Sequence, residues 1–202
     1  NAGEGKRLKL KNTHVTVMGL GQFGGGFGVT KWLLDQGAVV LLTDLGEKKD
    51  FDSQLNELCE HPNSDNLQFI FGEHRIEDFV NTEVVIANPA VPLPWENQYL
   101  KAAWDSGVEV TTEIEMLTRQ INRKQVIGVT GTSGKSTTAS MIHAGLQASG
   151  LTSYLAGNIG GSFLPNLHTI EPDDFIVLEL SSAMLWWLDR NGSWSPHVGV
   201  LT

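Results

Sequence analysis

Two glycine-rich loops, each set between a short apolar run and a helix-spaced segment, constrain this chain more than any other feature. HVTVMGL (14–20) leads into GQFGGGFG and then VTKWLLDQG, while VIGVT (126–130) leads into GTSGKST and then TASMIHAGLQASG. A short apolar run closed by glycine reads as a buried strand, and 3.6-residue spacing behind it reads as a helix. Such units bury their apolar surface when the strands lie parallel and the helices cover the faces of the sheet.

The rest of the chain keeps the same rhythm. Strands are expected at AVVLLTD (38–44), LQFIFG (67–72) and EVVIAN (83–88), with a helix at DSQLNELCE and a proline-rich lead into a helix over 92–107 that stops at Gly107. VEVTTEIEMLTRQ carries a strand and then a helix, and the polar segment TRQINRKQ (118–125) follows. The pattern then restarts with VIGVT, a helix from Lys135 to about Ser149, strands SYLAG and FIVLEL, a helix SAMLWWLDR and a strand HVGVLT. This predicts two α/β units, 1–113 and 114–202, the second ending on an apolar strand at Thr202.

Composition narrows the function. A net charge of −9 with scattered Lys and Arg argues against a nucleic-acid partner, which needs a basic face. It leaves room for small anions held locally by helix N-termini and a lysine. The single cysteine, Cys59, allows no internal disulfide and suits a reducing cytoplasm; its place in DSQLNELCE predicts a buried or half-buried helix residue. No run approaches the ~18 apolar residues of a membrane span, and the polar N-terminus lacks the apolar core of a signal peptide.

In the first loop, GLGQFG (19–24) matches G-x-G-x-x-G between a strand and a helix, and Asp44 ends the second strand 20 residues after Gly24. Glycines let the backbone approach a diphosphate, the helix N-terminus supplies amide donors, and the carboxylate accepts from a ribose or a base. The motif does not separate NAD from a UDP-sugar. Gly25, Gly26 and Gly28 are expected to make the loop longer and looser than the motif requires.

The second loop departs from the common phosphate-binding pattern G-x-x-x-x-G-K-[ST], because Val129 stands where that pattern needs glycine. The spacing here is Gly131-x-x-Gly134-Lys135-Ser136-Thr137. The roles can still be filled: amides of Thr132, Ser133, Gly134 and Lys135 cradle phosphates, Lys135 reaches the outer phosphates, and Ser136 offers Mg²⁺ a hard oxygen. FIVLELSS (175–182) supplies an acid, Glu179, at the end of a buried strand, with Ser181 and Ser182 opening a helix. AGNIGGSF (156–163) places Asn158 between glycines, either in a ligand-facing turn or in an ordinary one.

TGTSGKST, then GNIG, then ELSS, in that order and spacing, resembles the Mur ligase family, whose own variant is the short phosphate loop. The preceding GLG loop with an acid closing the second strand resembles the branch that adds D-glutamate. The resemblance implies a Rossmann-like, mostly parallel sheet domain that binds a UDP-sugar, followed by the truncated start of a P-loop α/β ATPase domain. It implies an ATP- and Mg²⁺-dependent amide ligase of peptidoglycan synthesis, acting on UDP-N-acetylmuramoyl-L-alanine and D-glutamate through an acyl phosphate. On this resemblance Gly131–Thr137 match the ATP loop, Lys135 and Glu179 carry the catalytic charge, and Ser136 and Glu179 match magnesium ligands. Gly21, Gln22 and Phe23 match the loop at the UDP diphosphate, Asp44 and Leu45 the uracil side, and Asn158, Ser181 and Ser182 the substrate side. Asn88-Pro89-Ala90 stand where the family has Ser-Pro-Gly, and Phe23 replaces a hydroxyl residue. Ala90 is expected to visit positive φ less freely than glycine would. Beyond HVGVLT the family supplies further metal ligands, a carbamylated lysine and a C-terminal domain, so an N-terminal fragment without turnover is expected.

The six histidines show no metal-ligand spacing, and Trp186 and Trp187 read as helix packing. Two other classes stay open on sequence alone: an NAD-dependent oxidoreductase built on the first loop, and a non-catalytic nucleotide-binding module. Other Mur ligases and folate polyglutamate ligases share the second loop.

Overall fold

The computed structural model describes residues 9–21, 24–190, 192 and 194–202. These divide into two compact units, residues 9–113 and 114–202.

In the first unit the chain runs β1 (His14–Met18), α1 (Gly25–Asp35), β2 (Val39–Asp44), α2 (Asp52–Cys59), β3 (Leu67–Phe71), α3 (Ile76–Val80), β4 (Val84–Ala87), α4 (Gln98–Asp105) and β5 (Glu109–Thr112). All the strand pairs are parallel, in the order β3-β2-β1-β4-β5. The central strands are buried on both faces: Val15, Thr16 and Val17 are each 1% exposed. That is the signature of a parallel sheet covered on both sides. Thr16 is accommodated there because its hydroxyl donates to the Asp78 carbonyl oxygen at 2.6 Å. Leu33 and Leu34 of α1, Phe79 of α3 and Leu100 of α4 are fully buried.

The second unit runs α5 (Glu113–Thr118), which starts at the division, then β6 (Val126–Thr130), α6 (Lys135–Ala148), β7 (Ser153–Gly157), β8 (Phe175–Glu179), α7 (Ser182–Arg190) and β9 (Val198–Leu201). Its sheet is parallel in the order β7-β8-β6-β9. Val129, Ala139 and Val177 are wholly buried at its centre, with Ile142, Leu146 and Leu155 packed around them. Trp187 is fully buried on α7, while Trp186 is half-buried and lies under the Arg190 guanidinium at 5.6 Å. Both behave as packing groups.

Two expectations fail. Gly25, Gly26 and Gly28 lengthen no loop, because α1 begins at Gly25 and takes them into its first turn. A Cβ on Gly26 would collide with the carbonyl oxygens of Gly19 and Leu20, so glycine there allows the helix to press onto the loop. Cys59 is exposed rather than buried. It lies one turn after Leu55 on the apolar face of α2, but it is the last residue of the helix, where the buried stripe of Leu55 and Leu58 ends.

Candidate functional site

The first unit concentrates its candidates at the carboxyl ends of β1, β2 and β4. From β1 the chain leads to β2 on one side, and β4 lies on the other, so the strand order reverses direction between β1 and β4. A crevice at that point is where open α/β sheets take ligands. Gly19, Gly21 and Gly24 all have positive φ, at 88°, 77° and 79°. The Gly19 amide donates to the Thr43 carbonyl at 2.7 Å, tying the first loop to β2. Gln22 and Phe23 lie outside the described residues.

Asp44 secures the same loop. One carboxylate oxygen accepts from the Leu20 amide and the other from the Gly46 amide, both at 2.8 Å. Sequence reasoning offered this carboxylate to a ligand alone. Its first duty in the fold is to latch two backbone loops together, with a second lone pair left on each oxygen. Leu45 beside it is 64% exposed. Asn88 follows β4 and sets its amide nitrogen beside Gly19, 3.5 Å from where a Cβ would stand. Its side-chain oxygen accepts from the Ala90 amide at 2.9 Å, forming a tight turn over Pro89. The expected difficulty at Ala90 does not arise: among the described residues the non-glycine positions with positive φ are Asn12 and Leu93. The Asn88 turn is closed by its own side chain.

One residue here escaped the sequence reading. His74, after β3, places Nδ1 2.8 Å from the Thr43 hydroxyl. Burial pushes its pKa below the ordinary 6.5, while Asp44 and Asp78 pull it the other way. Only the parallel pairing of β2 with β3 brings position 74 beside position 43. A lone histidine without ligand spacing gives no such signal.

In the second unit Gly131 (φ 146°) and Gly134 (φ 79°) shape the loop between β6 and α6. Gly134 caps α6, and no side chain caps the helix, so its first amides face outward. Thr132, Ser133, Ser136 and Thr137 are exposed around that N-terminus. Lys135 folds back over the loop, Nζ donating to the Gly131 carbonyl at 3.1 Å.

Glu179 is 1% exposed and ends β8, an interior strand level with Val129 of β6 and Gly157 of β7. The turn after β7 grips it from the side: the Asn158 amide donates to the Glu179 carbonyl at 2.9 Å, and Asn158 Nδ2 donates to Glu179 Oε1 at 3.0 Å. Gly157 cannot carry a side chain, because a Cβ would meet the Glu179 carbonyl. Glu179 Oε2 is buried with no hydrogen-bond partner. An acceptor left in that state is costly unless a cation or donor completes it. Ser181 Oγ accepts from the Met184 amide at 3.2 Å and caps α7. Ser182 is exposed at the start of that helix.

The remaining features lie elsewhere. A groove of about 370 Å³ lined by Gln120, Ile121, Leu167 and Ile170 lies away from the loop residues. No group of three or more His, Cys, Asp or Glu among the described residues is placed to hold a metal. No helix among them is long and apolar enough to cross a membrane.

Two glycine-rich loops, each on its own parallel sheet, with a buried acid beside the second, define an α/β protein of two compact units, each with a strand–glycine loop–helix element. The pattern of the MurD-like Mur ligase N-terminal domain matches residues 13–112, and that of the Mur ligase middle domain matches 129–202. The chain belongs to the Mur ligase family. It is similar to UDP-N-acetylmuramoylalanine–D-glutamate ligase from Roseiflexus sp. (strain RS-1), with 38% identity over 96% of this chain and 40% of that protein. The protein of the same name from Treponema pallidum (strain Nichols) is 36% identical over 98% of this chain and 37% of its own length. The chain thus spans about 40% of the length of the curated relatives it matches. Among solved structures, the UDP-N-acetylmuramate:L-alanyl-gamma-D-glutamyl-meso-diaminopimelate ligase from Neisseria meningitides is similar in fold. Its TM-score is 0.56 at 19% identity, covering 94% of this chain and 60% of that one.

Proposed function

We propose that this chain supplies the UDP-sugar-binding and ATP-binding parts of a ligase that joins D-glutamate to UDP-N-acetylmuramoyl-L-alanine. The observation that carries the reading is the convergence of the Gly131–Thr137 loop, Asn158 and the buried Glu179 at the carboxyl ends of three adjacent strands. A nucleotide triphosphate needs that set: outward amides, one mobile cation and a carboxylate kept from water.

In this reading residues 1–113 take the UDP-sugar and residues 114–202 take ATP. Gly21, Gln22 and Phe23 border the diphosphate, Leu45 and Asp44 the uracil side, and Asn88, Pro89 and Ala90 the opposite wall. The α6 amides and Lys135 hold the transferred phosphoryl group, which is the catalytic contribution of Lys135. To reach the outer phosphates, Lys135 gives up its contact with the Gly131 carbonyl. Ser136 and Glu179 suit Mg²⁺: both offer hard oxygens, and Oε2 of Glu179 stands unsatisfied. The ion, when bound, neutralises phosphate charge. Asn158 orients Glu179, and Ser181 and Ser182 border the substrate side.

The carboxylate of the muramoyl-L-alanine attacks the terminal phosphorus, releasing ADP and leaving an acyl phosphate. The amine of D-glutamate then attacks the acyl carbon, and phosphate leaves with the amide bond formed. A nucleotide-linked substrate and ATP place this reaction in the cytoplasm.

Isothermal calorimetry on the chain tests the reading, with UDP-N-acetylmuramoyl-L-alanine, ATP plus Mg²⁺, and NADH titrated separately. Saturable binding of the first two is expected, the first lost in Asp44→Ala and the second in Lys135→Ala. Binding of NADH in place of the UDP-sugar would return the first loop to oxidoreductase chemistry.

A further inference from the structure

Thr202 follows β9 and reaches the loop between β6 and α6, a contact the ligase reading does not use. Its amide donates to the Thr130 carbonyl at 2.9 Å, continuing the pairing of β9 with β6. Its hydroxyl lies 2.6 Å from the Ser133 carbonyl oxygen and 3.2 Å from that of Thr130. A hydroxyl has one proton, and carbonyls only accept. The proton goes to Ser133, the nearer oxygen, since the Thr130 oxygen already takes the Thr202 amide. The Gly131 carbonyl is held separately, by Lys135 Nζ at 3.1 Å.

The two glycines of the loop are shaped around this residue. A Cβ on Gly131 would collide with the Thr202 carbonyl oxygen and hydroxyl, so Thr202 demands glycine there. At Gly134 a Cβ would stand 3.9 Å from Thr202 Cβ, an ordinary contact, and it is the φ of 79° that favours glycine. The peptide plane turns these contacts into an orientation. In a trans peptide the carbonyl of one residue and the amide of the next point opposite ways, and the described residues hold no cis bond. Thr202 takes the Thr130 and Ser133 carbonyls on its own side, so the Gly131 and Gly134 amides point away from it.

We propose that Thr202 is a positioning residue for the phosphate loop: it holds the Ser133 carbonyl through its hydroxyl and the Thr130 carbonyl through its amide, and so aims the Gly134 and Gly131 amides at the phosphates of a nucleotide. The proposal rests on the reading that this loop takes ATP. Lys135 leaves the Gly131 carbonyl when it moves to the outer phosphates, and Thr202 is the support that stays in place.

The test compares wild type, Thr202→Val and Thr202→Ser. Valine keeps the shape and the backbone amide but has no hydroxyl, and serine restores it. Thr202 is exposed, so neither change reaches the core. Calorimetry with ATP plus Mg²⁺ should show about three- to tenfold weaker binding in Thr202→Val, the worth of one hydrogen bond, and wild-type binding in Thr202→Ser. UDP binding, assigned to the first unit, should be the same in all three. The Gly134 amide resonance should move in Thr202→Val and stay in Thr202→Ser. A purely structural role would lower the melting temperature and leave the ATP affinity of the folded protein unchanged. Equal ATP affinity in wild type and Thr202→Val, or a loss that Thr202→Ser fails to restore, would overturn the proposal. If Thr202→Val does not fold, wild type decides. Its Thr202 hydroxyl proton should be held long enough to give its own NMR signal, and exchange as free as that of an exposed serine would remove the latch. Failure of folded wild type to bind ATP at all would sink the phosphate reading instead, with the hydroxyl signal still deciding whether the latch exists.

Discussion

Asn158 donates its side-chain amide to Glu179 Oε1 at 3.0 Å, while Glu179 Oε2 stays buried without a partner. One oxygen is thus fixed in place by the protein, and the other is aimed and unsatisfied. Asn158→Ala should weaken ATP binding measured with Mg²⁺ by about 10–100-fold, the usual cost of losing a group that orients a metal ligand. Glu179→Gln keeps the Asn158 contact and should lose more. The check is calorimetry with and without Mg²⁺, alongside a melting curve showing both variants folded. Equal affinities with and without the ion in wild type would remove Glu179 from metal binding.

The glycines of α1 separate by what surrounds them. Gly26→Ala forces a Cβ into the Gly19 and Leu20 carbonyls and should destabilise by roughly 1–3 kcal/mol. Gly25→Ala meets open space and should stabilise by up to about 1 kcal/mol, since alanine is the better helix former. Gly24→Ala also has room, yet its φ of 79° should cost about 1–2 kcal/mol. Urea denaturation of the three variants ranks them, and a neutral Gly26→Ala would contradict the close approach of helix and loop.

Asp44→Asn replaces one of the two acceptors of the latch with a donor. The Leu20 or Gly46 amide then loses its partner, at a cost of roughly 1–3 kcal/mol. Hydrogen exchange at those two amides should accelerate ahead of exchange in β1. Unchanged protection at both would show that Asp44 serves a ligand and not the loop.

His74 sets a pH window. Its folded pKa lies below the unfolded 6.5, so between the two the unfolded chain binds more protons. The stability it contributes is complete above about pH 6.5 and is lost as pH falls through the folded value. Melting temperature should decline less across that window in His74→Asn than in wild type.

Cys59 is exposed at the end of α2. A thiol reagent should label it at full stoichiometry in the native state, at the rate of an accessible thiol. Labelling only on unfolding would place it in the core after all.

The sequence by itself determined the elements and their kind. Val15, Val17 and Val129 fall in short apolar runs closed by glycine and Val177 in one set between aspartates and serines, and local patterning is enough to mark such runs as buried strands. It also marked both loops, because Gly19, Gly21, Gly131 and Gly134 adopt backbone angles that other residues resist. What it could not carry was any relation set by pairing between distant strands. Register brings Asp44 onto Leu20, His74 onto Thr43 and Asn158 onto Glu179, across separations of 24, 31 and 21 residues. The same limit explains Gly26 and Cys59. Their composition is local, but whether a Cβ collides or a thiol meets water depends on what another part of the chain places against them. Periodicity decides which residues need burial. Only the assembled parallel sheets decide which polar groups are left facing one another at their carboxyl ends.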